Sequence, residues 1–341
     1  MPRTVTGLWP QVASWPALTS AYERCRKGKR DQPKAVHFHA RWEERLVEIQ
    51  QHLVSGTWQP DPFTSFPVYE PKYRIIEAPT FRDRIVHHAL VAAVEPHFER
   101  RFIRHSYACR KGGGTHRAAA DMQRHLRRAE ARWGRVYALQ IDISKYFPSI
   151  QHDRLLEQIA RTISDRRVLT IWERIIRGAG RDVGLPIGAL TSQLSGNIYL
   201  DWLDHMVKDE MGVKGYARYM DDAVLLLTSK DEAWRTKRLL EDLLRDELGL
   251  KLSKALVYPT TQGVDWAGYR TWSTHMLPRR KNIVAARRRL QRAARLYGEG
   301  RMSLEEVRQR VASFVGHTQH CDAARVTQSV IDDVVLIREA A

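Results

Sequence analysis

Cysteine is scarce in this 341-residue chain: Cys25, Cys109 and Cys321 are three, odd in number and far apart. They cannot build a disulfide framework or a CxxC metal knuckle, and their scarcity predicts a reduced, cytoplasmic compartment. Long apolar runs are missing as well. Ala89 to Val94 and the strand-sized Ala223 to Leu227 are the longest, well short of the ~20 residues that a bilayer span needs. The opening residues MPRTVTGLWPQVASWPAL contain no continuous apolar segment of signal-peptide type. No internal repeat and no low-complexity tract is present. Acidic residues are also short, 39 against 56 Lys and Arg, which leaves a formal charge of +17 and a pI near 10. Such an excess attracts polyanions, and nucleic acid is the first candidate partner.

Apolar and aromatic residues make up 43 % of the chain and are spread along it, enough for a substantial core divided into subdomains. Residues 17–57 read as helical, with a basic insert from Arg26 to Lys34. The stretch 58–80, rich in proline and aromatics, predicts loops and short strands. Helical patterns cover 83–104 and, after Gly112-Gly113-Gly114, the residues up to 132. VYALQIDI, residues 136–143, predicts a buried strand ending at a carboxylate. Helices fit 151–177 and 190–211. Tyr216 to Thr228 reads as two β-runs joined by a tight turn at Met220-Asp221, because Asp tolerates turn geometry. A helix over 231–249, a β region over 257–272 and a basic helical block from Pro278 complete the chain. The divisions expected are an N-terminal helical extension (1–60), a central unit (61–272) and a helical basic subdomain (273–341).

Three carboxylates stand out. Asp142 ends one predicted strand, and Asp221-Asp222 sits at the turn between two others. Neighbouring aspartates repel, so a bound cation is a physical reason to place them together, although an Asp pair also serves an ordinary hairpin turn. If the strands are neighbours in one sheet, the three carboxylates converge at one edge. Two divalent ions held by a few carboxylates are the apparatus that nucleotidyl transfer needs.

Tyr219-Met220-Asp221-Asp222 resembles the YxDD motif of reverse transcriptases. Asp142-Ile143-Ser144-Lys145-Tyr146-Phe147-Pro148-Ser149-Ile150 resembles that family's first palm motif. Gly184-Leu185-Pro186-Ile187-Gly188-Ala189-Leu190-Thr191-Ser192-Gln193 is similar to the motif that follows the fingers. The three occur in the family's order and spacing. The segments 74–86, 106–116, 248–254 and 263–269 resemble further parts of the fingers and palm.

The resemblance implies an α+β right-hand polymerase with fingers, an antiparallel palm sheet and a helical thumb, copying RNA into DNA. Asp142, Asp221 and Asp222, with the carbonyl of Ile143, would ligate two Mg²⁺ ions, and dNTPs would be the substrates. Phe147 matches the position whose ring excludes a ribose 2′-hydroxyl. Lys72 and Arg74 match the clamp on the triphosphate. Lys254 matches the general acid for pyrophosphate, with Lys251 as a rival. Arg110 and the glycines after it suit a template phosphate. Arg279, Arg280, Arg287 and Arg288 would lie along the duplex.

Many family members carry Gln where this chain has Ile187 and Pro where it has Gln193. The pattern here is most similar to the enzymes of diversity-generating retroelements, which copy a template RNA with errors at adenines. Ile187 cannot donate the hydrogen bonds that Gln could, so polar discrimination beside the incoming nucleotide weakens. That branch implies template RNA, cDNA and a small basic accessory variability protein as partners. Retron-type and defence reverse transcriptases are the alternatives within the family, and a non-catalytic RNA-binding module is the alternative outside it. No room is expected after residue 272 for a ribonuclease H or endonuclease domain. His317, His320 and Cys321 lack a partner cluster and are not read as a zinc site.

Overall fold

Thr80 accepts a hydrogen bond at its hydroxyl from the Asp83 amide, and this cap starts the helix Phe81–Glu99. The structure, a computed structural model, describes residues 4–69 and 73–337. Among these the strands are β1 (Thr64–Val68), β2 (Arg74–Ala78), β3 (Tyr137–Ile143), β4 (Tyr216–Tyr219), β5 (Asp222–Leu227), β6 (Leu252–Pro259), β7 (Val264–Trp266), β8 (Tyr269–Thr271) and β9 (Met276–Pro278). The chain divides into two compact units. One comprises Met1–Arg110, Asp142–Gly212 and Arg238–Lys254; the other comprises Lys111–Ile141, Val213–Lys237 and Ala255–Ala341.

The first unit is mostly helical, with the hairpin β1–β2, the end of β3 and the start of β6. Helix Phe81–Glu99 buries Ile85, Val86, Ala89, Leu90, Val94 and Phe98, apolar residues on nearly every side of it, and so occupies the middle of its unit. Helices Trp15–Arg26 and Leu190–His205 pack on it. The helical stretch expected over 151–177 holds two helices, His152–Ala160 and Arg166–Arg177. Asp165 causes the break: its carboxylate caps the second helix at Val168 and also takes the amides of Leu8 and Trp9, at 2.9 and 3.1 Å. The helix expected to reach 211 ends at His205 and continues as a wider turn, Met206–Glu210. The hairpin β1–β2 is antiparallel, with Phe66 opposite Ile76 and Val68 opposite Arg74.

The second unit is built on strands. β4 and β5 pair antiparallel, Tyr216 opposite Leu225 and Tyr219 opposite Asp222, within a sheet ordered β4-β5-β3-β6. Ala223 to Leu227 are all buried, which explains the unbroken apolar run. A smaller antiparallel sheet, β7-β8-β9, precedes the helices Arg280–Gly298, Leu304–Thr318 and Ala324–Asp332. The fold class is therefore the α+β, antiparallel type that the sequence predicts. Among the described residues no helix is long and apolar enough to cross a membrane.

Candidate active site

In the second unit, the turn between β4 and β5 carries Asp221 and Asp222, both half-buried. Met220, not Asp221, takes the left-handed conformation, with φ 56°. Arg218 compensates for it: the side chain is buried, 1 % exposed, and donates to the Met220 carbonyl at 3.0 Å. A guanidinium thus holds the strained residue that sets the direction of the two carboxylates. Gln140 of β3 donates from Nε2 to Asp222 Oδ1 at 3.3 Å and to the Asp265 carbonyl at 3.1 Å. Trp266 donates its indole N–H to the Asp222 carbonyl at 3.2 Å. The Tyr258 hydroxyl donates to Gln140 Oε1. Burial first, then the charges of Asp265 and Asp222, push the Tyr258 phenol up, so it stays a protonated donor.

In the first unit, Asp142 takes a short hydrogen bond at Oδ2 from the Ser253 hydroxyl, which also lies 3.1 Å from the Asp142 carbonyl. Ile143 is buried. Three of the predicted nucleotide contacts come from distant segments that the structure ties together. The Leu185 amide donates to the Phe147 carbonyl, and the Glu77 amide donates to the Ile187 carbonyl, each at 2.8 Å. The loop bearing Ile187 is therefore bonded to Phe147 on one side and to β2, the strand of Arg74, on the other. Glycine permits this approach: a Cβ on Gly188, at φ +120°, would stand 2.8 Å from Ile76 Cγ2. Phe147 and Ile187 are half-buried, while Arg74 and Gln193 are exposed.

The other predicted residues are placed as follows. Lys72 lies outside the described residues. Lys254 is exposed and follows Ser253 directly, so strand alternation sends it to the opposite face from Ser253. Arg110 is engaged within its own unit, paired with Glu99 at 2.9 Å and bonded to the carbonyls of Ile103 and Ser106. Arg279 pairs with Asp265, and Arg287 pairs with Asp333 and donates to Ser329, whereas Arg280 and Arg288 are exposed. Among the described residues no group of three or more His, Cys, Asp or Glu side chains is arranged to hold a metal ion. Asp142 belongs to the first unit, Asp221 and Asp222 to the second.

Sequence reasoning passed over Gln140, Ser253, Arg181 and Glu77. Gln140 left a signal, a polar side chain inside an apolar strand two places before Asp142. Arg181 left none, because its partner Glu77 is 104 positions away.

Several known proteins are similar to part of this chain. Protein YkfC of Escherichia coli (strain K12) is 32 % identical over 191 residues, 52 % of this chain and 49 % of that protein. Group II intron-encoded protein LtrA of Lactococcus lactis subsp. cremoris is 27 % identical over 176 residues, 48 % of this chain and 28 % of that protein. The match thus spans half or less of these curated relatives. Among solved structures, telomerase from Candida albicans in complex with a fragment of telomeric RNA aligns at 11 % identity and TM-score 0.47, over 87 % of this chain and 60 % of that one. The mixed α/β fold with antiparallel sheets is consistent with the right-hand polymerase class. Residues 66–271, more than half of the chain, match the family described as reverse transcriptase (RNA-dependent DNA polymerase), and the chain belongs to that family.

Proposed function

We propose that the chain is an active RNA-directed DNA polymerase in which Asp142, Asp221 and Asp222, with the Ile143 carbonyl, hold two Mg²⁺ ions. The observation that carries this reading is the bond from Gln140 to Asp222. The bond orients Asp222 within the second unit; that Asp142 joins it is what the order and spacing of the motifs imply. The donor set suits a hard cation: carboxylates and a carbonyl, oriented by the neutral donors Gln140 and Ser253 rather than by a competing charge at those bonds. Bound there, two such ions would activate the primer 3′-hydroxyl and stabilise the leaving pyrophosphate.

The chain's own groups supply the rest. The primer hydroxyl attacks the α-phosphate of a dNTP and pyrophosphate departs. Arg74 and Lys72 neutralise the triphosphate, and Phe147 closes the space that a 2′-hydroxyl would need. Lys254, or its rival Lys251, gives a proton to pyrophosphate. Residues 61–272 form the fingers and palm behind an N-terminal extension (1–60), and 273–341 form a thumb. In it Arg279, Arg280, Arg287 and Arg288 follow the duplex, while Arg110 meets the template.

At a finer level, the enzyme is of the diversity-generating type, in the cytoplasm, with a template RNA and a small basic accessory variability protein. Ile187 and Gln193 support this. The relatives favour a second reading, because LtrA is named an intron-encoded protein. Primer extension on an RNA template with Mg²⁺, with candidate RNA and accessory protein present, tests the core. cDNA synthesis is expected from the wild type and none from Asp222→Ala; synthesis that survives the substitution removes the mechanism. Errors concentrated at template adenines support the diversity-generating branch, and their absence supports the intron-type reading.

A further inference from the structure

The loop from Arg181 to Ala189 forms neither helix nor strand, so its position rests on bonds to its surroundings. On one side Gly184 donates to the Ile150 carbonyl and Leu185 to the Phe147 carbonyl, each at 2.8 Å. On the other side a single backbone bond, Glu77 to Ile187, joins the loop to β2. β2 itself belongs to a hairpin whose partner strand β1 is exposed along most of its length. One side chain reinforces that weak junction. Arg181 Nη1 and Nη2 meet Glu77 Oε1 and Oε2 at 3.1 and 2.6 Å, a two-bond fork, and its Nε lies 3.3 Å from the Gly184 carbonyl. The buried His152 donates from Nε2 to the same carbonyl at 2.8 Å.

The fork closes a ring. Arg181 holds the Glu77 side chain, the Glu77 amide holds Ile187, and Gly188 lies against Ile76 too closely for a Cβ. With Arg181 and Glu77 side chains 37 % and 21 % exposed, the pair is partly screened, yet its geometry is the bidentate one that fixes orientation. A neutral residue at 181 would leave the Glu77 carboxylate without this partner and leave one backbone bond to hold β2 on the loop.

We propose that Arg181 is a positioning residue for the incoming nucleotide: through Glu77 it sets the spacing between the loop of Ile187 and the strand of Arg74. This rests on the reading that Phe147, Ile187 and Arg74 face the nucleotide. Arg181 touches no substrate in this scheme and acts by keeping the two walls at one distance.

The test uses the full chain on an RNA template–primer, measuring kcat and KM for dNTP. It also measures dNTP-dependent retention of a dideoxy-terminated primer complex, which needs no turnover. Arg181→Ala is expected to raise KM and weaken retention ~10-fold while kcat stays within ~2-fold, the pattern of lost binding rather than lost chemistry. Arg181→Lys, which cannot form the fork, recovers only part of this. Glu77→Gln matches Arg181→Ala, and the double variant is no worse than either single one. The exchanged pair Arg181→Glu with Glu77→Arg recovers affinity.

Should Arg181→Ala fold poorly, as an unfolding melt would show, Glu77→Gln and the exchanged pair carry the test. Unchanged KM and retention in Glu77→Gln, no recovery in the exchanged pair, or additive losses in the double variant, overturn the proposal. Phe147→Ala separates the two layers. If it admits ribonucleotides while the Arg181 variants are silent, the pocket stands and the positioning role falls. If neither Phe147→Ala nor Ile187→Gln alters nucleotide selection, the pocket reading falls and takes the positioning role with it.

Discussion

The Tyr258 hydroxyl lies 3.1 Å from the side-chain oxygen of Gln140 and donates to it, which fixes that amide the right way round to donate to Asp222. Both amide hydrogens are then used, on Asp222 and on the Asp265 carbonyl, and the one acceptor is used by Tyr258. The amide has no second orientation that satisfies all three partners. An orienting group of this kind affects metal affinity without being a ligand. Gln140→Leu should therefore raise the Mg²⁺ concentration for half-maximal primer extension ~10-fold or more, and Tyr258→Phe should raise it less. A Mg²⁺ titration of the three proteins checks this; overlapping curves would show that the amide does not orient the carboxylate.

Two glycines close together in the chain separate conformational strain from collision. Gly180 has φ +67° and open space where a methyl group would stand, whereas Gly184 has φ +95° and a Cβ there would lie 2.9 Å from the Pro148 carbonyl oxygen. Gly180→Ala should cost about 1 kcal/mol, the left-handed penalty alone. Gly184→Ala adds a clash with backbone and should cost at least ~2 kcal/mol. Urea unfolding of both variants measures the difference, and equal costs would mean that the loop yields easily.

Burial sets a pH dependence at His87. Its ring is 1 % exposed, Nδ1 lies 3.3 Å from the Thr191 hydroxyl and Nε2 has no hydrogen-bond partner among the described residues. Desolvation, with the charges of His88 and Arg84 adding, pushes it down to about 3. The folded pKa is below the unfolded one, so the unfolded chain takes the proton first. This contribution is complete above pH 6.5 and is lost as pH falls toward 3, at up to ~1.4 kcal/mol per pH unit. Asp83 runs the other way: burial raises it to about 6, so its contribution is complete below about 4 and is lost as pH rises through 6. The two partly cancel, and the informative comparison is between wild type and His87→Leu. Between about pH 7.5 and 5.5 the variant should lose ~1 kcal/mol less stability in urea melts. Parallel losses would show that His87 is protonated in the folded protein.

Local pattern was enough to read some of this molecule. The mostly apolar VYALQIDI, with a carboxylate near its end, reads directly as β3, and the two β-runs around Met220-Asp221 read as β4 and β5. Long-range partners were not readable. The break at 161–165 follows from Asp165 capturing amides of residues 8 and 9, more than 150 positions away. The left-handed residue of the turn is Met220 rather than an aspartate, because the buried Arg218 offsets the strain. In the nucleotide group, Phe147 and Ile187 were legible as motif positions, but the Arg181–Glu77 pair that ties their loop to β2 was not.

Helix Arg280–Gly298 offers neighbouring arginines in different circumstances. Arg287 is paired with Asp333 at 2.8 Å and donates to Ser329 at 3.0 Å, while Arg288, one residue on, is exposed. An arginine already holding a carboxylate must give up that partner to reach a phosphate; an exposed one only sheds water and counterions. If this helix follows a nucleic-acid duplex, Arg288→Ala should lower the slope of log affinity against log salt by ~1. Arg287→Ala should leave the slope nearly unchanged and instead weaken the packing of its helix against Ala324–Asp332, visible as a lower unfolding midpoint. The same contrast is expected between Arg280, exposed, and Arg279, paired with Asp265. Binding isotherms at several salt concentrations decide it. Equal slope losses at Arg287 and Arg288 would mean that the ion pair opens on binding, and no loss at either would place the duplex elsewhere.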